Sequence, residues 1–227
     1  MAKKNKLKRF VRRKVLNVSQ RFISLYEGRI DKRLCGCSLA KYVPSLYRQS
    51  MGATGSQSSP YRALKQIFAE EQFTEQDSFL DVGCGKGRVL AYLNSIGCPC
   101  PLTGVELNAD VAAFTQAWAE RFDNITIIHG NAFELDLNRY TVLFLGRPFE
   151  PETFYRFIHT LEANMQHPFT LLYWWDTQSG GYLENRPGWE RTRRLMVGKK
   201  EGLSKYFFGG PQGFSHWEYT PSAAENE

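Results

Sequence analysis

The chain has 227 residues, a formal net charge of +6 and 42% hydrophobic residues, among them 16 Phe, 11 Tyr and 5 Trp. This length and aromatic content allow one domain of ordinary size with a substantial core, plus an extension. No run of about 18 apolar residues occurs, which argues against a membrane span, and the first six residues lack the apolar stretch of a secretory signal.

The basic charge is concentrated at the start of the chain. Residues 1–48 contain 14 Lys or Arg and 2 acidic residues, a net charge of +12, whereas the rest of the chain contains 15 and 21, a net charge of −6. Apolar residues recur every three or four positions from Leu7 to Leu25, which predicts one long amphipathic helix. Its basic face fits a solvated or internally packed surface, a contact with RNA or another polyanion, or an anionic membrane surface.

The next segment predicts a connection followed by a helix. Residues 49–58 contain two glycines and several hydroxyl residues, which is typical of a loop or linker. A helix is expected to start at Ser59-Pro60-Tyr61 and to run through Phe68, with Ser59 as its cap. The predicted organisation is therefore a basic extension over 1–48, a linker over 49–58 and a main domain over 59–227.

The main domain alternates apolar runs with helical stretches. Strands are predicted at 78–82, 102–106, 125–129, 141–145 and 170–175, with helices near 86–96, 108–121 and 151–165 between them. Short continuous apolar strands separated by amphipathic helices indicate an α/β fold, a doubly wound and mostly parallel sheet covered on both faces. Two further strands, 190–197 and 214–220, follow without a long helix between them.

A glycine-rich turn follows the first predicted strand. Gly83, Gly85 and Gly87 allow the backbone to turn sharply and to approach a ligand closely. Glu106 lies about 20 residues further on at the tip of the second strand, where a carboxylate holds a ribose diol. The third glycine comes too early for the dinucleotide pattern G-x-G-x-x-G, and a P-loop would need Ser or Thr in place of Gly87. The pattern therefore indicates a nucleoside-bearing cofactor other than a dinucleotide or a nucleoside triphosphate.

Three segments in order carry a family resemblance. Phe79-Leu80-Asp81-Val82-Gly83-Cys84-Gly85-Lys86-Gly87 and Gly104-Val105-Glu106-Leu107-Asn108 resemble the first two motifs of class I S-adenosylmethionine-dependent methyltransferases. His129-Gly130-Asn131-Ala132-Phe133 resembles the third, with Asn131 where the family usually has Asp. The resemblance covers roughly residues 59–220 and implies a Rossmann-like sheet of seven strands that ends in an antiparallel hairpin.

The resemblance also implies a set of residues that bind the cofactor, S-adenosylmethionine. The glycine turn would lie against its methionine part, Glu106 would bind the ribose hydroxyls and Asn131 would accept a hydrogen bond from the adenine amine. The full set is Asp81, Gly83, Gly85, Gly87, Glu106, Leu107, Asn131 and Ala132. Asp81 is expected to bind the amino group of the cofactor, although a carboxylate there also fits a helix cap. In many members the segment before the first core helix folds over the cofactor, a role that fits Thr54, Ser56 and Ser59.

Candidate acceptor residues follow the fourth and fifth strands, because ligands of such sheets lie outside the carboxyl ends of the strands. Enzymes of this family that methylate exocyclic amines of nucleobases carry [DN]-P-P-[YFW] after the fourth strand, and this chain has Gly146-Arg147-Pro148-Phe149 there. Phe149 would stack on a planar or cationic acceptor, and Arg147 would bind an anionic one. Alternatively, Pro148 and Phe149 only close the strand.

Trp175 and Asp176 end the fifth strand. One of the two tryptophans at 174 and 175 is expected in the core, because successive side chains of a strand point to opposite faces. Asp176 would orient or deprotonate an acceptor, or else cap a helix after Thr177. The sequence does not single out a catalytic acid or base, and methyl transfer from an activated sulfonium does not require one.

Several functions remain open at this stage. The first is a methyltransferase acting on RNA, protein or a small molecule; the second is a catalytically silent protein of the same fold that holds RNA or a ribonucleoprotein through its basic arm. An aminopropyltransferase is disfavoured because Gly146 and Arg147 replace the acidic residues expected for a polyamine. Five cysteines without a secretory signal indicate reduced thiols and a cytoplasmic protein, and the C-x-C spacing with no nearby His argues against a metal site.

Overall fold

The computed structural model describes residues 22–197 and 212–221. Its seven strands are β1 Phe79–Val82, β2 Leu102–Glu106, β3 Ile125–His129, β4 Val142–Leu145, β5 Phe169–Trp174, β6 Trp189–Val197 and β7 Gln212–Tyr219. Helical residues are α1 over 22–35, α2 Arg48–Met51, α3 Tyr61–Ile67, α4 Arg88–Ser95, α5 Ala109–Ala119 and α6 Pro151–Asn164. Three single 3₁₀ turns, Ala132–Glu134, Leu137–Arg139 and Gly180–Leu183, complete the elements.

The strands form one sheet in the order β3-β2-β1-β4-β5-β7-β6. The first five strands pair in parallel, and β7 is antiparallel to both β5 and β6. The predicted Rossmann-like fold with a C-terminal antiparallel hairpin is therefore confirmed. The strand order reverses between β1 and β4, and a crevice at such a reversal is where open α/β sheets bind ligands.

Each face of the sheet packs against its own layer of buried side chains. Phe79 and Phe144 belong to the layer that includes Leu64 of α3, Leu90 of α4 and Trp118 of α5. Leu80 and Leu143, next along the same strands, belong to the opposite layer, together with Phe154 and Phe157 of α6. This alternation follows from the two-residue period of a strand and explains why the apolar runs are continuous.

Helix α1 packs onto the domain through charged as well as apolar side chains. Its Glu27 and Asp31 face Arg88, the first residue of α4, with Arg88 Nη1 2.9 Å from Glu27 Oε2 and Arg88 Nη2 2.7 Å from Asp31 Oδ2. The last two residues of the predicted apolar stripe are not buried, because Phe22 and Leu25 are 69% and 63% exposed. Most of the predicted helix from Leu7 onwards lies outside the described residues.

The described part of the predicted extension shares its core with the predicted main domain. Cys35 and Leu39 are buried in the same layer as α3 and α4. The helix predicted from Ser59 begins at Tyr61, with Pro60 rather than Ser59 at its N-cap. Ser59 instead contributes its main-chain carbonyl, which accepts a hydrogen bond from Arg88 at 3.3 Å.

Candidate functional site

The turn after β1 depends on glycine at each of three positions. Gly83, Gly85 and Gly87 have φ values of 71°, 54° and 76°, in the left-handed region that disfavours other residues. A Cβ added at Gly83 would lie 2.7 Å from Pro148 Cβ, and one at Gly85 would lie 2.5 Å from Ser56 Oγ. The turn therefore combines an unusual backbone with close approach of two other segments.

Glu106, at the end of β2, is hydrogen-bonded to the glycine turn that follows β1. Its Oε2 accepts a hydrogen bond from Gly85 N and its Oε1 one from Asn108 N, both at 2.9 Å. Burial raises the pKa of this carboxyl above its ordinary value, against the backbone hydrogen bonds of Asn108, Gly85 and Leu107, which lower it. The side chain thus stands between the ends of β1 and β2, with its carboxylate already oriented.

Asp81 presents an unpartnered buried carboxylate. The residue is 2% exposed, and its Oδ2 has no hydrogen-bond partner among the described residues. Burial, and then the nearby charge of Glu106, raise the pKa of Asp81 to about 8. An unpaired buried acceptor is costly, so its presence indicates a ligand that supplies a donor.

A cavity of about 100 Å³ lies at the carboxyl ends of β1, β2 and β4, and we term it the first cavity. Seven of the eight predicted cofactor residues line it: Asp81, Gly83, Gly85, Glu106, Leu107, Asn131 and Ala132. Gly87 does not line it. That glycine caps α4, where a Cβ would lie 2.6 Å from Trp118 Cζ2.

Residues 53–59, here called the roof segment, form one wall of the first cavity. Thr54 N donates to Pro148 O and Thr54 Oγ1 to Arg147 O, both at 2.8 Å. Ala53 forms an isolated antiparallel bridge with Phe149, and Ser56 forms one with Val43. The stretch predicted as a linker is therefore paired with the loop after β4.

The third motif is held by its own short turn. Asn131 lies at the N-cap of the 3₁₀ turn Ala132–Glu134, where its side-chain oxygen accepts from Phe133 N at 3.2 Å. Its Nδ2 donates to Glu134 Oε1 at 3.1 Å. This arrangement leaves Asn131 and Ala132 on the wall of the first cavity.

Arg147 and Trp175 leave β4 and β5 with left-handed backbones. Their φ values are 56° and 64°, which is rare for large side chains. The guanidinium carbon of Arg147 lies 5.2 Å from the centre of the Trp175 ring. Both residues line a second cavity of about 400 Å³, which shares the roof segment and Gly146 with the first cavity.

The other two predicted acceptor residues lie elsewhere. Phe149 lines the first cavity and packs against Phe133 and Phe157, with ring centres 5.7 Å and 5.2 Å away. Asp176 is 2% exposed and lies outside the linings of both cavities. Its carboxylate packs against β7, where a Cβ on Gly213 would lie 1.8 Å from Asp176 Oδ1.

Five lining residues of the second cavity were not singled out from the sequence: Tyr42, Arg48, Gln57, Ser58 and Gln212. Gln57 and Ser58 belong to the segment predicted as a linker, and their proximity to Thr54 and Ser56 was the available signal. Tyr42 gave no signal, because only the folded chain brings it to the ends of β4 and β5. Among the residues described, no group of three or more His, Cys, Asp or Glu is placed to hold a metal ion, and none of the helices is long and apolar enough to cross a membrane.

Comparisons with known proteins place this geometry in context. Residues 79–159 match a family model described as a methyltransferase domain. The structure resembles the RNA methyltransferase from Salinibacter ruber in complex with S-adenosyl-L-homocysteine, with 17% identity, a TM-score of 0.55 and coverage of 74% of this chain and 97% of that chain. It also resembles a SAM-dependent methyltransferase from Aquifex aeolicus, with 16% identity, a TM-score of 0.52 and coverage of 78% and 94%.

A third similar structure is that of TrmN from Thermus thermophilus, with 14% identity, a TM-score of 0.51 and coverage of 73% of this chain and 55% of that chain. No curated protein sequence matches the chain significantly. At these identities the structural likeness shows a shared fold, and the family match covers the segment from β1 to α6.

Proposed function

We propose that the protein is a class I S-adenosylmethionine-dependent methyltransferase and that it methylates an acceptor that enters beside β4 and β5. The observation that carries the proposal is the pair of carboxylates, Asp81 and Glu106, that face one glycine-lined cavity from adjacent parallel strands. Two carboxylates so placed suit a ligand that presents an ammonium group and a diol.

The residues of the first cavity fit S-adenosylmethionine. Asp81 has a free acceptor for the amino group, and Glu106 is placed for the ribose hydroxyls. Gly83 and Gly85 leave room for the methionine part, and Leu107 and Ala132 supply apolar walls for the adenine. When bound, the cofactor would supply a methyl group activated by the positively charged sulfur. The bond between the methyl carbon and sulfur would break as the bond from that carbon to the acceptor forms, and its electron pair would remain on sulfur.

The chain's own task is to position the acceptor and to exclude water. The roof segment lies over the boundary between the two cavities, held by the hydrogen bonds of Thr54 to the loop after β4. The first cavity, at about 100 Å³, is smaller than typical ligand pockets of about 300–1,000 Å³. We therefore infer that the roof segment moves outward when the cofactor enters and closes again over it.

A calorimetric titration with S-adenosylmethionine tests the cofactor site. We expect Glu106→Ala to weaken binding by about tenfold or more, because the ribose hydroxyls lose a charged acceptor. Glu120→Ala is the matched control, since Glu120 lies at the far end of α5 and is exposed. Thermal unfolding of each variant separates loss of a ligand contact from loss of the fold.

Two outcomes would contradict the proposal. Equal affinities of the wild-type protein and Glu106→Ala would show that the ribose is held elsewhere. Absence of binding to the wild-type protein would favour the second candidate, a non-catalytic protein of this fold that holds RNA through its basic arm. That candidate is supported by the exposed cations Arg29, Lys32 and Arg33 on α1.

We also propose a cytoplasmic location. All five cysteines are free thiols, and Cys98 Sγ lies 3.4 Å from Cys100 Sγ without a disulfide bond. Neighbouring thiols that stay reduced are typical of a reducing compartment.

A further inference from the structure

The second cavity lies where an acceptor would meet the cofactor. It opens at the carboxyl ends of β4 and β5 and shares a wall with the first cavity, formed by the roof segment and by Gly146 and Arg147. Its volume of about 400 Å³ lies within the range of about 300–1,000 Å³ that small-molecule sites occupy. The cavity therefore suits a small molecule better than a folded macromolecule.

The charged residues in the described lining of this cavity are all basic. Its described lining includes two arginines, Arg48 and Arg147, and neither Asp nor Glu. The guanidinium of Arg48 is paired with Glu150 at 2.5 Å. Among the described residues Arg147 forms no ion pair, so its charge is available to a ligand. A cationic acceptor would be repelled here, and an anionic one attracted.

Arg147 is held in its place by contacts that do not use its side chain. Its left-handed backbone costs free energy, and such strain persists only where the surroundings enforce it. The hydrogen bonds from Thr54 reach the main-chain carbonyls of Arg147 and Pro148. Trp175 is also held by its backbone, since its main-chain N–H donates to Gly213 O at 2.8 Å. The guanidinium is thus positioned over the Trp175 ring, and its N–H groups donate to no other side chain or carbonyl in the part of the chain that the structure describes.

Trp174 supplies a second, independent indication. This residue lines the second cavity and is 4% exposed, yet its indole N–H has no hydrogen-bond partner among the described residues. A buried donor without an acceptor is unfavourable until a ligand provides one. An anionic oxygen would satisfy this indole and pair with Arg147 in the same cavity.

Building on the proposed methyltransferase function, we propose that the acceptor is a small molecule with an anionic group, a carboxylate or a phosphate, that is bound by Arg147 and the indole of Trp174. The aromatic surface of Trp175 suits a planar part of the same molecule. This assignment makes Arg147 the residue that selects the acceptor by charge.

Titration with simple probes tests the proposal. Tryptophan fluorescence and calorimetry would follow binding of benzoate and phenyl phosphate, with benzylamine and benzyl alcohol as cationic and neutral counterparts, with and without saturating S-adenosylmethionine. We expect the anions to bind and the other two to bind at least tenfold more weakly. We expect Arg147→Gln to reduce anion affinity about tenfold or more, the loss of a charge-assisted hydrogen bond. The ratio of the affinities for benzoate and phenyl phosphate identifies carboxylate or phosphate as the preferred group.

Two variants serve as controls. Arg156→Gln removes an exposed arginine that also lies over an aromatic ring, 5.5 Å from the centre of Phe133, but outside this cavity. We expect it to bind the anions as the wild-type protein does. Arg147→Lys keeps the charge and should recover part of the affinity. The hydrogen bonds from Thr54 to the main-chain carbonyls of residues 147 and 148 remain possible in both Arg147 variants.

The outcomes separate this proposal from the proposed function. Equal binding of all four probes, no binding of either anion, or unchanged anion affinity in Arg147→Gln would overturn the assignment, even if S-adenosylmethionine binds normally. Loss of cofactor binding with retained anion selectivity would overturn the methyltransferase proposal instead. Arg147-dependent binding of a short single-stranded RNA, with none of the small anions, would replace the small molecule by a macromolecular acceptor.

Discussion

At the scale of the residue, Asp81 combines deep burial with a free carboxylate oxygen. Its pKa of about 8 means that the free protein holds this carboxyl protonated at pH 6.5, whereas an ordinary aspartate would be ionised. If the ammonium group of S-adenosylmethionine contacts Asp81, it stabilises the ionised form. Cofactor binding should therefore release a proton from the protein below about pH 8.

Calorimetry in buffers of different ionisation enthalpy measures this proton. We expect release of up to about one proton at pH 6.5 and little at pH 9, where Asp81 is already ionised in the free protein. Asp81→Asn should abolish the difference in proton release between pH 6.5 and pH 9. Equal proton release in this variant and in the wild-type protein would assign the proton to another group, of which Glu106, also of raised pKa, is the first to examine.

At the same scale, the sequence singles out residues that line the two cavities but gives no sign of the backbone conformation of some of them. Gly83, Gly85 and Glu106 form a short pattern whose order along the chain determines their geometry, because β1 and β2 are parallel neighbours. The left-handed backbones of Arg147 and Trp175 have no local signal, since both residue types disfavour that conformation. Only the surrounding contacts of the folded chain impose them.

At the scale of the element, α1 is joined to α4 through a buried ionic cluster. Arg88 and Asp31 are 3% and 0% exposed, and Tyr61 Oη donates to Asp31 Oδ1 at 2.9 Å. Removal of one member of a buried ion pair leaves an uncompensated charge, which costs more than the pair itself contributes. Arg88 therefore links the N-terminal helix to the helix that follows the glycine turn.

Substitution of Arg88 should be far more damaging than that of an exposed arginine. We expect Arg88→Leu to lower the free energy of unfolding by about 3–5 kcal/mol, because Glu27 and Asp31 lose their counter-ion. Arg48→Leu, in a pair where Arg48 is 64% exposed, should cost about 1 kcal/mol or less. Chemical denaturation compares the two variants; similar losses would show that the buried cluster does not hold α1 in place.

The same cluster shows which feature of the elements the sequence does not predict: the way in which distant elements pack together. The strands and helices from 78 to 175 were predicted to within a few residues, because continuous apolar runs and amphipathic periods are local signals. The docking of α1 was not, because Asp31 and Arg88 are 57 residues apart in the chain. Likewise, the roof segment has the composition of a loop, and its pairing with Phe149 depends on a distant partner.

At the scale of the whole molecule, the first 48 residues are strongly basic, whereas the rest of the chain is acidic. Residues 1–48 have a net charge of +12, and Arg29, Lys32 and Arg33 are exposed on the described part of α1. Cations along a helix face are suited to the phosphates of a nucleic acid. Such binding releases counterions from the phosphates, and it weakens with added salt because that release becomes less favourable. This division supports the proposal that a polyanion contacts the extension.

Binding of single-stranded RNA to the full chain measures this contact. We expect affinity to fall steeply with salt, and replacement of Arg29, Lys32 and Arg33 by Gln to reduce the slope of log affinity against log salt by about 2, near 0.7 per lost cation. Arg191→Gln, a change on β6 whose arginine already pairs with Glu184, is the control. A slope that does not change would show that these three cations do not contact RNA.

The link between α1 and α4 also governs the order in which the chain can fold during synthesis. Glu27 and Asp31 leave the ribosome well before Arg88, whose hydrogen bonds to them span 61 and 57 residues. At about 5–20 residues per second, that interval lasts roughly 3–12 s. Throughout it the two carboxylates have no counter-ion from α4, and the nascent helix cannot dock. Helix α1 can therefore reach its native place only after the chain has been made through the start of α4.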